Sequence, residues 1–290
     1  MSVGVNSRKK HRLVYVCLII VLSLFVAWIA WGNTALELNI FTVSSDDLPE
    51  AFNGFRIAQV SDLHNAEMGK DNKKLIAILE ESNPDIIVLT GDILDSKHTD
   101  EEIALRFLDK ATDIAPCYFI TGNHEGRITK SIYETFEKDM LELGVIVLHD
   151  NEVIIENEEE TVSLVGIDDP VFAESNGGGI GISMTSRSIS ALASGEGFSI
   201  LLAHRPEFFK QYVYADFDLV LCGHAHGGQF RLPFVGGIIA PNQGFFPEYD
   251  SGLYTEGDTN MIVSRGIGNS IIPFRVNNRP EIVVVELVCG

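Results

Sequence analysis

Asp85-Ile86-Ile87-Val88-Leu89-Thr90-Gly91-Asp92-Ile93-Leu94-Asp95 is the stretch that decides the fold. An apolar, largely β-branched run follows the breaker Asn83-Pro84 and stops at Gly91, which reads as a buried strand ending in a tight turn. The turn hands over two carboxylates, Asp92 and Asp95. Four more runs end in the same way. Phe55–Val60 leads to Asp62-Leu63-His64, and Cys117–Ile120 leads to Gly122-Asn123-His124-Glu125. Phe198–Leu202 leads to Ala203-His204-Arg205, and Leu219–Cys222 to Gly223-His224-Ala225-His226. Five of the eight histidines therefore sit at strand ends, where loops can converge on one point.

Helical patterns fill the first gaps. Asn72–Glu81 carries Leu75, Ile76 and Leu79 on one face, and Glu101–Thr112 turns Ile103, Leu105, Phe107 and Leu108 toward the core. A third helix is predicted from about Lys130 to Leu143. Such alternation implies right-handed crossovers and a largely parallel first sheet. Beyond residue 144 short strands follow one another: Val145–Leu148, Glu152–Ile155 and Thr161–Ile167. Asn176-Gly177-Gly178-Gly179 reads as a flexible loop and Ser186–Ser194 as a short helix. Residues 35–44 alternate as a leading strand, and Glu281–Val288 closes the chain. Leu232, Pro233 and Phe234, then Phe245-Phe246-Pro247, follow the last histidine motif; they read slightly better as core than as a membrane-facing rim. The expected class is α/β, two packed sheets with helices outside.

Composition narrows the function. Hydrophobic residues make up 46% of 290, with 26 glycines, which fits a globular protein rather than a disordered one. Net charge is −20, but Arg8, Lys9, Lys10 and Arg12 all precede residue 13, so the remainder sets 17 basic against 41 acidic residues, −24. A field of that sign repels polyanions and argues against long nucleic acid as a substrate. The four cysteines form no metal or disulfide signature and read as small buried hydrophobes.

Leu13 to Trp31 is an uncharged run of 19 residues, the length of one bilayer-crossing helix. The basic cluster before it and the first acidic residue after it, Glu37, predict a cytoplasmic N-terminus and an extracytoplasmic domain. Trp28 and Trp31 would lie at the far interface. A cleaved signal peptide is the rival reading, with Ala30-Trp31-Gly32 as a poor cleavage site. The expected layout is a basic tail over 1–12, a single-pass cell-membrane anchor over 13–32 and a soluble domain over 35–290.

Singly, the strand-end motifs are weak. Asp92 alone suits a helix N-cap and Asn123 a turn. Asp62 and His64, two apart on an extended segment, point the same way and can share an ion; His224 and His226 are spaced likewise. Together the motifs offer about eight carboxylate, amide and imidazole ligands, the set that hard and borderline divalent metals prefer. His11, His98 and His149 have no such context and read as incidental.

The five motifs in this order resemble the calcineurin-like metallophosphoesterase superfamily, over essentially the whole stretch from Gly54 to about Glu286. Within it, His204-Arg205-Pro206, Gly223-His224-Ala225-His226-Gly227-Gly228-Gln229 and Arg265-Gly266-Ile267-Gly268 look like bacterial membrane-anchored members, the group with UDP-2,3-diacylglucosamine diphosphatase-like enzymes. The resemblance implies a four-layer α/β/β/α sandwich holding two divalent ions, with Mn, Fe, Zn and Co all compatible. It implies Asp62, His64, Asp92 and His226 around one ion, and Asp92, Asn123, His204 and His224 around the other. A hydroxide shared by the ions then attacks phosphorus in line. His124 resembles the family's general acid, oriented by Asp95. Arg205, Arg265 and Arg275 are candidates for contacting substrate phosphate. Ser96 and Lys97 stand where protein phosphatases of the superfamily carry an arginine, which sets that assignment aside.

The resulting expectation is a phosphoesterase acting on a phosphodiester or diphosphate of an envelope or lipid-linked molecule. The alternatives are a nucleotide phosphodiesterase or nucleotidase, and a non-catalytic metal-bearing scaffold.

Overall fold

The computed structural model describes residues 3–177, 185–193, 197–269 and 272–290. Helix α1 (Val3–Gly32) is followed by strands β1 (Glu37–Ser45), β2 (Arg56–Val60), β3 (Ile86–Thr90), β4 (Cys117–Ile120) and β5 (Ile146–Val147). Helices α2 (Lys73–Ser82), α3 (Glu101–Thr112) and α4 (Lys130–Glu142) lie between them in sequence. Next come β6 (Asn151–Asn157), β7 (Glu160–Gly166), helix α5 (Pro170–Ser175), β8 (Ser199–Leu202) and β9 (Leu219–Cys222). Two small hairpins, β10 (Arg231–Leu232) with β11 (Gly236–Gly237) and β12 (Ile239–Ala240) with β13 (Gly244–Phe245), precede β14 (Gly252–Glu256), β15 (Thr259–Val263) and β16 (Glu281–Cys289).

The first sheet runs β1-β16-β2-β3-β4-β5 and the second β14-β15-β9-β8-β7-β6. Strands β2 to β5 are mutually parallel, as are β15, β9, β8 and β7, so each sheet gathers its C-terminal strand ends along one edge. The stretch around residue 146 rejoins the first sheet beside β4 instead of opening the second, a parallel return made through α4.

Burial alternates along each strand because successive side chains leave opposite faces of a sheet. Ile87 and Leu89 of β3 pack outward with Leu75, Leu79, Phe107 and Phe136 of α2 to α4. Ile86 and Val88 pack inward with Leu164, Ile200, Leu202 and Leu221 of the other sheet. Beyond that sheet, Leu201, Val220 and Met261 meet Ile189, Phe209 and Tyr212. This is the expected four-layer order, and both sheets are covered on both faces, as parallel strands require.

Three expectations need correction. Leu232, Phe234, Phe245 and Phe246 are exposed, not core, because they belong to hairpins too short to pair with either sheet. The helix read over Ser186–Ser194 stops at Ser190; residue 194 lies outside the described residues, as do Gly178 and Gly179 of the glycine loop. Cys117 and Cys222 are buried, but Cys17 is exposed on α1 and Cys289 is only partly covered.

Helix α1 is apolar on every side from His11 to Gly32 and none of that stretch is buried against the domain, which makes it long and apolar enough to cross a membrane. Its end is fastened to the domain. Asn33 Nδ2 donates to the Arg275 carbonyl at 2.9 Å, and the Arg275 N–H donates back to Asn33 Oδ1 at 2.7 Å. Arg279 stacks over the Trp31 ring at 5.1 Å.

Candidate metal centre

Every strand that ends in a motif delivers it to the edge where the two sheets meet. Asp62 and His64 follow β2, Asp92 follows β3, Asn123 and His124 follow β4, His204 follows β8, and His224 and His226 follow β9. Gln59 clamps the edge shut. Its amide donates to Thr90 Oγ1 and to the Cys222 carbonyl, each at 2.9 Å, so β2, β3 and β9 are tied directly beneath the ligands.

The loops are tighter than an extended segment. Asp62, His64, Asp92, His224 and His226 all have left-handed backbones, with φ between 46° and 65°. The expected extended segments are therefore replaced by turns; Asp62 and His64 still fall in one candidate ligand group, as expected, whereas His224 and His226 do not. A left-handed residue turns the chain sharply, so His224 and His226 diverge toward different partners. Such conformations are disfavoured for residues with a Cβ, though Asp and His tolerate them better than most, and they persist where the surroundings hold them. Here the surroundings are backbone. Asp62, His64 and Asn65 N–H groups donate to the carbonyls of Gly91, Asp92 and Ile93, and Gly268 N–H donates to the Asp62 carbonyl at 2.7 Å. Gly122 is obligatory as well, because a Cβ there would collide with the Asp92 carboxylate.

Among the described residues three groups of candidate ligand atoms result; one of them, His64 with Asp95 and His124, shares His64 with the first of the two that follow. Asp62, His64 and His226 form one: the Nε2 atoms of His64 and His226 are 3.2 Å apart, and His226 Nε2 is 3.4 Å from Asp62 Oδ1. Asp92, His204 and His224 form the other: His204 Nε2 is 3.1 Å from His224 Nδ1 and 3.3 Å from Asp92 Oδ2. The same Asp92 oxygen is 3.6 Å from His64 Nε2, so it stands between the groups.

Hydrogen bonds on the outer side identify which nitrogens are bare. His204 Nδ1 donates to the Thr90 carbonyl at 2.7 Å, leaving its Nε2 lone pair facing inward. His224 Nε2 donates to Asn242 Oδ1 at 3.0 Å, leaving Nδ1 inward. Asn123 offers its amide oxygen 2.8 Å from that same Nδ1; the amide rotated by half a turn would instead donate to it and accept from Arg127. Divalent ions fit this donor set, mixed imidazole, carboxylate and amide.

Electrostatics agree. Burial pushes His64, His224 and His226 below the usual imidazole range and keeps them neutral, the form that binds metal. Burial opposes charge on His204 too, but hydrogen-bonded Asp92, with Asp62 and Asp169 behind it, outweighs burial and pushes His204 up to about 10. Burial resists ionisation of Asp92, yet His204 and His64 hold it well below the usual carboxylate range. A proton and a divalent ion thus compete for one buried, negatively polarised spot.

His124 lies beside the first group, its ring edge-on to His64 at 4.4 Å. Its Nδ1 accepts from the Ser96 N–H at 3.0 Å, which puts its own proton on Nε2. Asp95 Oδ2 is 3.8 Å from His124 Nδ1 and 3.7 Å from His64 Nδ1, while Asp95 Oδ1 accepts from the Lys97 and His98 N–H groups. The carboxylate therefore flanks both rings and shapes the turn that carries Ser96. Sequence reading missed that bond, because it comes from a backbone atom.

The arginines are engaged elsewhere. Arg205 is held bidentately by Asp169, at 2.6 and 3.1 Å, and Arg265 bonds Glu281 and Glu37. Arg275, wholly buried, donates to the Arg265 and Gly268 carbonyls and approaches His226 Nδ1 at 3.4 Å. Glu125 and Asn242 are further supports that the sequence does not announce. Glu125 accepts from the N–H groups of Asp92, Leu94 and Gly122, bracing two ligand loops with one carboxylate.

Residues 55–228 match the calcineurin-like phosphoesterase family. The chain belongs to that family. Calcineurin-like phosphoesterases hydrolyse phosphoester bonds with two divalent metals, and this chain is such a hydrolase, with clustered His and Asp side chains that could hold them. It is 31% identical over 259 residues to the uncharacterized metallophosphoesterase YkuE of Bacillus subtilis, covering 87% of this chain and 85% of that one. It is 28% identical over 245 residues to the phosphodiesterase YaeI of Escherichia coli, covering 81% and 82%. It is 32% identical over 251 residues to a transmembrane protein with metallophosphoesterase domain of Danio rerio, covering 83% of this chain and 55% of that one.

Proposed function

We propose that this calcineurin-like phosphoesterase is a single-pass membrane enzyme that cleaves a phosphodiester or diphosphate of a lipid-linked or envelope molecule. The observation that carries the chemistry is Asp92 Oδ2, placed between two imidazole-bearing ligand groups. Two bound cations would supply an activated water and neutralise phosphoryl charge. Asp62, His64, Asp92 and His226 would hold one ion, and Asp92, Asn123, His204 and His224 the other. In this reading His124 serves the leaving oxygen: the Ser96 N–H at Nδ1 fixes the ring with Nε2–H as a hydrogen-bond donor to that oxygen, and full proton transfer would require Nδ1 to be protonated first and turned from Ser96 toward Asp95, 3.8 Å away.

The anchor supports a substrate at the membrane. The layout is a basic tail over 1–12, an anchor over 13–32 and a catalytic domain over 35–290 on the extracytoplasmic side, following the Arg8–Arg12 cluster. The test uses the full chain in detergent or nanodiscs, supplied in turn with Mn, Fe, Zn and Co. Turnover of bis-p-nitrophenyl phosphate is expected, followed by preference for lipid-linked phosphodiesters or diphosphates over nucleotides. Preference for soluble nucleotides would replace this reading with a nucleotide phosphodiesterase.

A further inference from the structure

The two hairpins after the last histidine motif expose an apolar cluster that neither sheet uses. Phe234 is wholly exposed at the tip of the first hairpin, flanked by Leu232 and Val235; Phe245 is 73% and Phe246 64% exposed in the second. Grouped large apolar side chains on a water-facing surface mark an interaction site.

This cluster is built onto the metal centre. Gly228, two residues past His226, packs backbone to backbone with Gly237, where no Cβ fits. Ile238 N–H donates to the Gly228 carbonyl and Phe246 N–H to the Ile238 carbonyl, binding both hairpins to the histidine loop. Asn242, which holds His224, lies in the second hairpin.

It is also continuous with the anchor. Arg231 N–H donates to the Val276 carbonyl at 3.0 Å, and the rings of Phe230 and Phe274 lie 5.6 Å apart. Phe274 and Pro273 in turn share a crevice of about 400 Å³ with Val26, Ile29, Ala30 and Asn33 of the α1 exit. The segments on this side carry no acid of their own, although their arginines pair with carboxylates from flanking segments: Arg231 with Asp250, Arg265 with Glu37 and Glu281, and Arg279 with Glu37. Residues 1–36, 219–247 and 259–280 contain no acidic residue in a chain of 41, and outside the first of these segments their charges are Arg231, Arg265, Arg275 and Arg279. The three acid-free segments meet where α1 joins the domain.

We infer that the rim formed by Leu232, Phe234, Val235, Phe245 and Phe246 seats in the headgroup–acyl boundary of the leaflet that α1 leaves, so that the metal centre opens at the membrane plane. Aromatic rings suit that boundary. The occupant is the bilayer itself, and this seat deepens the proposed function by presenting phosphoesters of resident lipids to the ligands.

The experiment labels the full chain, with Cys17 and Cys289 replaced by serine, at Phe234→Cys, Phe245→Cys or the hairpin-tip control Glu158→Cys. An environment-sensitive fluorophore is attached and the protein is placed in phosphatidylcholine–phosphatidylglycerol nanodiscs doped with spin-labelled lipid. Quenching at 234 and 245 at least twofold stronger than at 158 is expected. Quenching no stronger than the control overturns the inference, as does a spectral shift that follows protein density rather than lipid, which would mean a second copy of the chain covers the rim. Bis-p-nitrophenyl phosphate turnover is followed in the same samples. Quenching without turnover sinks the proposed function and leaves the seat, whereas turnover without quenching does the reverse.

Discussion

His204 donates its Nδ1 hydrogen to the carbonyl oxygen of Thr90 at 2.7 Å, a bond that crosses from the second sheet to the first. The acceptor is a backbone atom at the end of a buried strand, so the imidazole is oriented by the fold itself. Its other nitrogen is thereby turned onto Asp92. One carboxylate oxygen then serves both ligand groups, and the site depends on it more than on any single histidine.

Replacing Asp92 with alanine is expected to lower phosphodiester hydrolysis by at least about a thousandfold, the scale on which removing transition-state charge stabilisation acts. Elemental analysis should find the metal content falling from two ions per chain to one or none. Retention of two ions with activity intact would remove Asp92 from the bridging position.

Asn242 acts on the centre only through His224. Asn242→Ala should weaken one of the two metals by roughly 10–100-fold, as loss of a ligand-orienting partner does elsewhere. Chelator competition would read this as one weakened and one unchanged ion, since Asp62, His64 and His226 make no bond to Asn242. Because Asn242 has a left-handed backbone, with φ 60°, Asn242→Gly serves as the companion variant that removes the side chain without backbone strain.

His124 should matter in proportion to the need for a proton. His124→Asn is expected to slow diesters with alkyl leaving groups about 10²–10⁴-fold, and p-nitrophenyl esters far less, because nitrophenolate departs without protonation. Metal content should stay at two. An equal loss on both substrate types would give His124 a role other than proton donor.

The strand ends are legible in the sequence because runs such as Ile86–Leu89 are buried on both faces and stop at glycine, so pattern and turn chemistry agree. The candidate ligands are legible because buried histidine and aspartate at strand ends have few other uses. What escapes is everything carried by backbone or by distance. Ser96 holds His124 through an N–H that any residue except proline possesses. Glu125 looks like one more acid until its three backbone donors are seen. The left-handed backbones of His224 and His226 put two neighbours in different candidate ligand groups, a separation that the resemblance implied but that an extended reading of the residues does not give. The phenylalanines near 234 and 245 read as core because composition cannot tell a rim from an interior.

His149, incidental in sequence, joins three elements. Its Nδ1 is 2.8 Å from Asp168, its Nε2 is 3.3 Å from Glu137 of α4, and its ring stacks on Phe172 of α5. Burial opposes its charge, but hydrogen bonds to Asp168 and Glu137 outweigh it and push His149 up to about 10. The sign follows from linkage. Below the unfolded value of about 6.5 the ring is charged in both states and the ion pairs contribute fully. Above it the unfolded chain sheds its proton first, so the contribution declines until the folded ring titrates near pH 10. At the acid end, Glu137 is held below its usual range by the His149 bond, so its share disappears as pH falls through that lowered value. The melting temperature of the metal-loaded chain should therefore slope downward between pH 6.5 and 10, and His149→Gln should flatten much of that slope. An unchanged slope in the variant would assign the pH dependence to other groups and leave His149 without an energetic role.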